Sequence, residues 1–161
     1  IYGENFKLTE LQSAVALAQL EKINKILNKQ RKTYFNIVNN IDNSFYKLRQ
    51  NVSKAVPVYS SIAIEFKTEK ECKKYIEFMN INGIGFDVYC SHLIMDFDTF
   101  EKQQSWHISK FPYNITNYKK TKCSKTKNLF QRVAWFNLSA SLKSKHIKYI
   151  IKKLKEYQTE F

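Results

Sequence analysis

Glycine and proline are scarce in this chain, with three Gly and two Pro among 161 residues. Turns therefore fall to the frequent asparagines, which tolerate turn conformations and hydrogen-bond to their own backbone. Cys72, Cys90 and Cys123 are odd in number and widely spaced. They lack the C-x-x-C pairing of zinc or redox motifs, so three free thiols in a reducing cytoplasm are expected. No apolar run approaches the roughly 18 residues of a membrane span, and no basic-then-apolar leader precedes a small-residue cleavage site. No internal repeat or low-complexity tract is present. Acidic residues are missing from one long stretch: from Lys102 to Lys155 there are fourteen Lys or Arg and no Asp or Glu.

What is present is enough for one substantial core. Hydrophobic residues make up 43% of the chain, and twelve Phe and ten Tyr exceed what a disordered tail carries. The net charge of +13 is large for this length. It points to anionic partners: nucleic acid, a membrane surface or a phosphorylated small molecule.

Thr9 and Gln12 have the spacing of a capping box, so a helix is expected to start here. Leu11, Val15 and Ala18 share one face, widened by Leu17, Leu20, Ile23 and Leu27, and the helix is expected to reach about Asn40 with a break near Asn28. "VYSSIAIEF" alternates, with Val58, Ser60, Ile62, Ile64 and Phe66 on one side, as a strand does. In "TEKECKKYIEFMNINGIG" the period becomes helical, with Cys72, Tyr75, Ile76 and Met79 on one face and Gly83 placed for a left-handed cap. "IGFDVY" returns to strand character. Residues 92–118 have a loop-like pattern with short helical turns, and "NLFQRVAWFNLS" suggests a helical turn followed by a short strand. Ile147, Ile150, Ile151, Leu154 and Tyr157 mark a closing amphipathic helix from about Ser144 to Gln158. A small α/β unit, a sheet with packed helices, follows from this order.

The plain chemical motifs are weak. His92, His107 and His146 lack the i, i+4 spacing of a metal pair, so surface or structural hydrogen-bonding roles are expected and no metal site. Cys90 and His92 are close in sequence, but a nucleophile and its base need direct contact and a third group to orient the base, and the two would share a strand face only without an intervening bend. The basic block is interleaved with Tyr113, Tyr118, Phe130 and Trp135, which leaves a nucleic-acid-binding domain as an alternative. No finger, helix-turn-helix or RNA-binding signature supports it.

The opening "GENFKLTELQSAVALAQLEKI", followed by Arg31 to Tyr34, closely resembles the start of the C-terminal part of pyridoxal-phosphate-dependent sugar aminotransferases of the DegT/StrS group. "NGIGFDVY" is similar to their small-domain turn and strand, Tyr89 to Leu93 to their histidine-bearing strand exit, and "RVAWFNLSASLKSKHIKYIIKKL" to their closing strand and helix. The resemblance implies the aspartate-aminotransferase fold (fold type I). Residues 1–41 would be an interdomain motif with a long linking helix, residues 42–161 the small α/β domain, and the large cofactor-binding domain would lie outside this sequence. A start at Ile1 is expected to reflect processing, trimming or a piece of a longer chain.

The resemblance also implies site residues. Asn5 would reach across a homodimer to the cofactor phosphate, an oxygen acceptor that suits an amide donor. Lys7 stands where the family usually has Arg, keeping the charge for an anionic group without the planar fork. His92 corresponds to the family histidine on the substrate side, although the proline common near it is absent. The lysine that holds the cofactor covalently, the aspartate that pairs with its ring nitrogen and the stacking aromatic would all lie upstream. This segment alone is therefore expected to be inactive. The complete enzyme would carry an amino group from glutamate or glutamine to a keto sugar, in nucleotide-linked form. A degenerate, non-catalytic assembly or binding module of the same fold is the alternative within the family.

Overall fold

The protein is described by a computed structural model covering residues 8–90, 92–105, 108–117 and 123–160. The first helix, α1 (Glu10–Leu20), begins at the capping box read from the sequence. Gln12 Oε1 accepts the Thr9 amide at 2.9 Å, and the Gln12 amide donates to Thr9 Oγ1 at 3.3 Å. The helical path breaks at Glu21 and Lys22, not near Asn28, and resumes as α2 (Ile23–Val38). At the break the Lys22 amide turns to the Gln19 carbonyl, a tightened final turn. Asn28 stays inside α2 because an exposed asparagine costs a helix interior only about 0.7 kcal/mol.

Four strands form one sheet: β1 (Lys47–Leu48), β2 (Ser61–Glu65), β3 (Asp87–Val88) and β4 (Val133–Asn137). Their order is β1-β2-β4-β3, with each neighbouring pair antiparallel. β2 and β3, joined by α3 (Glu69–Ile81), both run opposite to β4 and so run parallel to each other. β4 is inserted between them, giving a split β-α-β unit. The strand expected from Val58 is shorter. Tyr59 has a φ of 56°, which interrupts the extended run, and Val58 before it is exposed.

The helix-to-strand turn after α3 follows the sequence. Gly83 has a φ of 71°; its amide donates to the Asn80 carbonyl, and the Ile84 amide donates to the Met79 carbonyl, the paired bonds of a Schellman cap. Asn80 then holds the Phe86 backbone from both sides, donating to its carbonyl and accepting its amide at 3.0 Å each.

One face of the sheet carries the core. Ile62, Ile64 and Ala134 meet Cys72, Tyr75 and Met79 of α3, and Ile147, Ile150, Leu154 and Tyr157 of α6 (Ser144–Glu160). Ile37 of α2 joins them, so the second half of the linking helix belongs to this body. Tyr46 seals the join by donating its hydroxyl to the Leu154 carbonyl at 2.8 Å. By contrast, α1 has no buried residue.

Candidate functional site

Strand alternation leaves the other face of the sheet available. Ala63, Glu65, Val133 and Trp135 point there, and the register sets Ala63 opposite Trp135 and Glu65 opposite Val133. The helix α5 (Ser124–Phe130) runs into β4 and brings Phe130 over this face. Tyr89, just after β3, stacks edge-on to Trp135 at 4.8 Å and to Phe130 at 5.0 Å. These rings floor a groove of about 390 Å³, within the range of small-molecule sites.

Its rim is charged. Lys47 pairs with Glu65 at 2.7 Å, and Arg132 stands 3.4 Å from the same carboxylate while donating to the Phe66 carbonyl at 2.7 Å. One carboxylate thus faces two cations. Arg49 also lines the groove and makes no ion pair among the described residues. It borders a second hollow of about 240 Å³ that shares Ala63 and Trp135 with the first. Tyr34 and Tyr59 meet there at 4.8 Å. Partial burial raises the Tyr34 hydroxyl above its ordinary pKa, Tyr59 adds to the rise, and Arg49 opposes it. Cationic and aromatic groups flank two neighbouring recesses that share Arg49, Ala63 and Trp135, an arrangement suited to an anionic ligand with a flat ring.

His92 lies on the exit from this floor, three residues after Tyr89, and is exposed. Its carbonyl accepts the Cys90 thiol at 2.7 Å. The loop beyond is tied down by Asp96, which accepts the Leu93 amide at 3.1 Å and pairs with Lys127 of α5 at 3.3 Å. The Leu93 amide first, then Lys127 and His92, hold the Asp96 carboxyl below its usual range. A short 3-10 turn (Ile94–Asp96) and α4 (Asp98–Glu101) supply the helical turns expected in this stretch. Asn5 and Lys7 lie outside the described residues, as does His107. His146 has a structural role: its Nδ1 accepts the Lys143 amide at 3.3 Å at the start of α6.

No group of His, Cys, Asp and Glu suited to a metal ion occurs among the described residues. None of the described lysines is buried. A lysine that binds a carbonyl cofactor covalently needs an enclosed site that lowers its pKa, and the described residues by themselves enclose none of these lysines. The rings once grouped with the basic block are also placed: Phe130 and Trp135 share the groove floor, and Tyr113 packs against Phe100 at 6.3 Å. Tyr118 lies outside the described residues.

Residues 1–155 match the DegT/DnrJ/EryC1/StrS aminotransferase family. The chain belongs to this family. Solved structures share its fold. PseC of Helicobacter pylori, an aminotransferase involved in the biosynthesis of pseudoaminic acid, aligns with 99% of this chain at TM-score 0.73 and 18% identity. The aminotransferase from Psychrobacter cryohalolentis aligns with 99% at TM-score 0.74 and 14% identity. The sugar aminotransferase CalS13 from Micromonospora echinospora aligns with 96% at TM-score 0.67 and 14% identity. This chain spans 40%, 41% and 37% of those three structures, respectively. Among curated proteins none matches the sequence. Within the DegT/StrS family the split β-α-β body is the C-terminal lobe of the fold, as the opening motif implied. The groove was not foreseen. Alternation in β2 and β4 could have indicated an open face, but only pairing brings Tyr89, Phe130 and Trp135 together. No helix among the described residues is long and apolar enough to cross a membrane.

Proposed function

We propose that this chain is the C-terminal part of a pyridoxal-phosphate-dependent enzyme that transfers an amino group from glutamate or glutamine to a nucleotide-linked keto sugar. The family match over residues 1–155 carries this reading. Residues 1–41 would join the two lobes and residues 42–161 form the small one, with the covalent lysine in the large lobe. The cofactor, when bound, supplies the electron sink for the amino transfer. This chain would contribute Asn5 as an amide donor to its phosphate across a cytoplasmic homodimer, Lys7 as a cation for an anionic group, and His92 on the substrate side.

Two observations support the assembly and the substrate class. α1 exposes Leu11, Val15, Leu17 and Leu20 at 55–77% with nothing of its own buried, which is apolar surface for the rest of the fold to cover. The groove offers rings to the nucleotide half, and Arg49, which makes no ion pair among the described residues. By itself the 161-residue segment would be inactive.

The test uses the full-length protein loaded with cofactor. Amino transfer from glutamate or glutamine to a nucleotide-linked keto sugar is expected, with Asn5→Ala weakening cofactor retention and Trp135→Phe weakening nucleotide-sugar binding. A folded, cofactor-loaded protein that transfers no amino group to any such sugar would favour the non-catalytic module instead.

A further inference from the structure

The acid-free stretch from Lys102 to Lys155 is not one patch in space. Two of its bases, Lys127 and Arg132, stand at the groove and its neighbouring loop, where Asp96 and Glu65 pair with them. Four of the others stand in order on α6: Lys145, Lys148, Lys152 and Lys155 follow at intervals of three, four and three residues. That spacing keeps them on one side of a helix, away from Ile147, Ile150 and Leu154.

The same interval recurs outside the stretch. Lys22, at the junction, and Lys25, Lys29 and Lys32 of α2 are also three, four and three apart, and α2 packs directly against α6. All eight lysines are exposed. Among the described residues only Lys152 reaches a carboxylate, Glu156 at 3.7 Å, and that carboxylate is already held by Lys153 at 2.6 Å. α2 contains no acidic residue. Two neighbouring helices thus each carry a nearly uncompensated row of four charges.

We propose that these rows form a surface for the phosphate backbone of double-stranded nucleic acid, bound without regard to sequence. A row spanning ten residues is about 15 Å long. Along the axis of a duplex each strand carries a charge about every 3.4 Å, so that length spans about four phosphates of one strand, one for each lysine. The rows contain no Arg, so they offer point charges and not the bidentate forks that read bases. The exposed ring beside the α6 row, Tyr149, is already engaged, its hydroxyl donating to the Asn82 carbonyl at 3.0 Å and Lys153 lying 5.8 Å over its face, so it offers no free platform on which unpaired bases would stack. Ile23 and Ile26, the exposed aliphatic residues beside the α2 row, are two side chains and not the broad apolar face that an interfacial helix requires to enter a bilayer.

The test is binding of the full chain to a short random-sequence DNA duplex across a salt series. Each row should contribute a slope of roughly −3.6 to log K against log salt, giving roughly −7 for both. Replacing Lys145, Lys148, Lys152 and Lys155 with Gln should make the slope shallower by roughly 3.6, with helix content unchanged by circular dichroism. A second variant with Gln at Lys54, Lys67, Lys110 and Lys125 loses the same charge away from the rows and should retain the parent slope. Equal losses in the two variants would mean that net charge, not the rows, binds the duplex, and would overturn the proposal. No duplex binding at low salt, or binding only to anionic phospholipid vesicles, would overturn it too. Amino-transfer activity does not enter these readouts, so the outcome is independent of the enzymatic reading.

Discussion

α1 and α6 are both rich in apolar residues and have opposite fates. α6 confines its apolar residues to one stripe and buries Ile147, Ile150, Leu154 and Tyr157, whereas α1 is apolar nearly all round and buries nothing. Periodicity shows that a helix has a face to cover; it does not say whether the cover lies in the same body. For α6 the cover is the sheet, α2 and α3. For α1 no cover lies among the described residues, and this chain spans 40% and 41% of two structures that share its fold. The sharpest way to break this contrast is to truncate α6. Leu154→Ala, at a side chain 1% exposed, should cost about 3–5 kcal/mol in denaturant unfolding. A cost below about 1 kcal/mol would mean that α6 is not anchored as the core indicates.

The same experiment on α1 should depend on context. In the 161-residue segment, Leu11→Ala with Val15→Ala should change stability by less than about 0.5 kcal/mol, as exposed positions do. In the full-length protein, where the proposed large lobe covers α1, the pair should cost about 2–4 kcal/mol or loosen the dimer measurably by sedimentation. Equal, negligible effects in both settings would show that α1 docks nowhere.

The contrast also marks how far the sequence could be read. Elements fixed by neighbours a few residues apart were legible: the Thr9 box, the Gly83 cap, the buried pair Ile62 and Ile64, and the stripe on α6. Features set by distant pairing were not. Nothing local says that β4 inserts between β2 and β3, because strand order comes from long-range packing of faces and not from any strand's own alternation. The groove inherits that invisibility, since its floor joins residues 89, 130 and 135 from three elements. The break at Glu21 and Lys22 was hidden for a related reason: it falls where α1 leaves the body, and no Gly or Pro announces it. The site residues Asn5, Lys7 and His92 came from family likeness alone, and only His92 falls among the described residues.

A pH titration probes the buried side of the comparison. Burial, with the Glu69 charge adding, pushes the Cys72 thiol from 9.0 up to about 11, while the neighbouring Lys73 charge opposes the rise. The folded state therefore favours the neutral thiol. Its contribution is intact below the unfolded value and is lost as pH rises from 9.0 to about 11, because the unfolded chain releases the proton first. A loss of about 2–3 kcal/mol over that window is expected at most, and Cys72→Ala should flatten it. The exposed Cys123 should meanwhile react with a thiol reagent in the native protein, whereas Cys72 should wait for unfolding. Prompt modification of Cys72 in folded protein would show that the α3 layer opens readily.

The smallest effect expected is at Tyr75, which packs against Tyr157 of α6 at 5.0 Å and against Phe86 at 5.1 Å. Its ring is wholly buried, and among the described residues its hydroxyl finds no hydrogen-bond partner. Removing an unsatisfied buried hydroxyl relieves a desolvation cost while the ring keeps its contacts. Tyr75→Phe should therefore leave stability unchanged or raise it by about 1 kcal/mol, unlike Tyr46→Phe, which deletes the bond to the Leu154 carbonyl and should cost about 1 kcal/mol. The pair separates two buried phenols that look alike in sequence by whether each hydroxyl has an acceptor. If Tyr75→Phe proved the more damaging of the two in urea unfolding, its hydroxyl would have to serve a partner outside the described residues, and the α3 and α6 layer would itself be a docking surface.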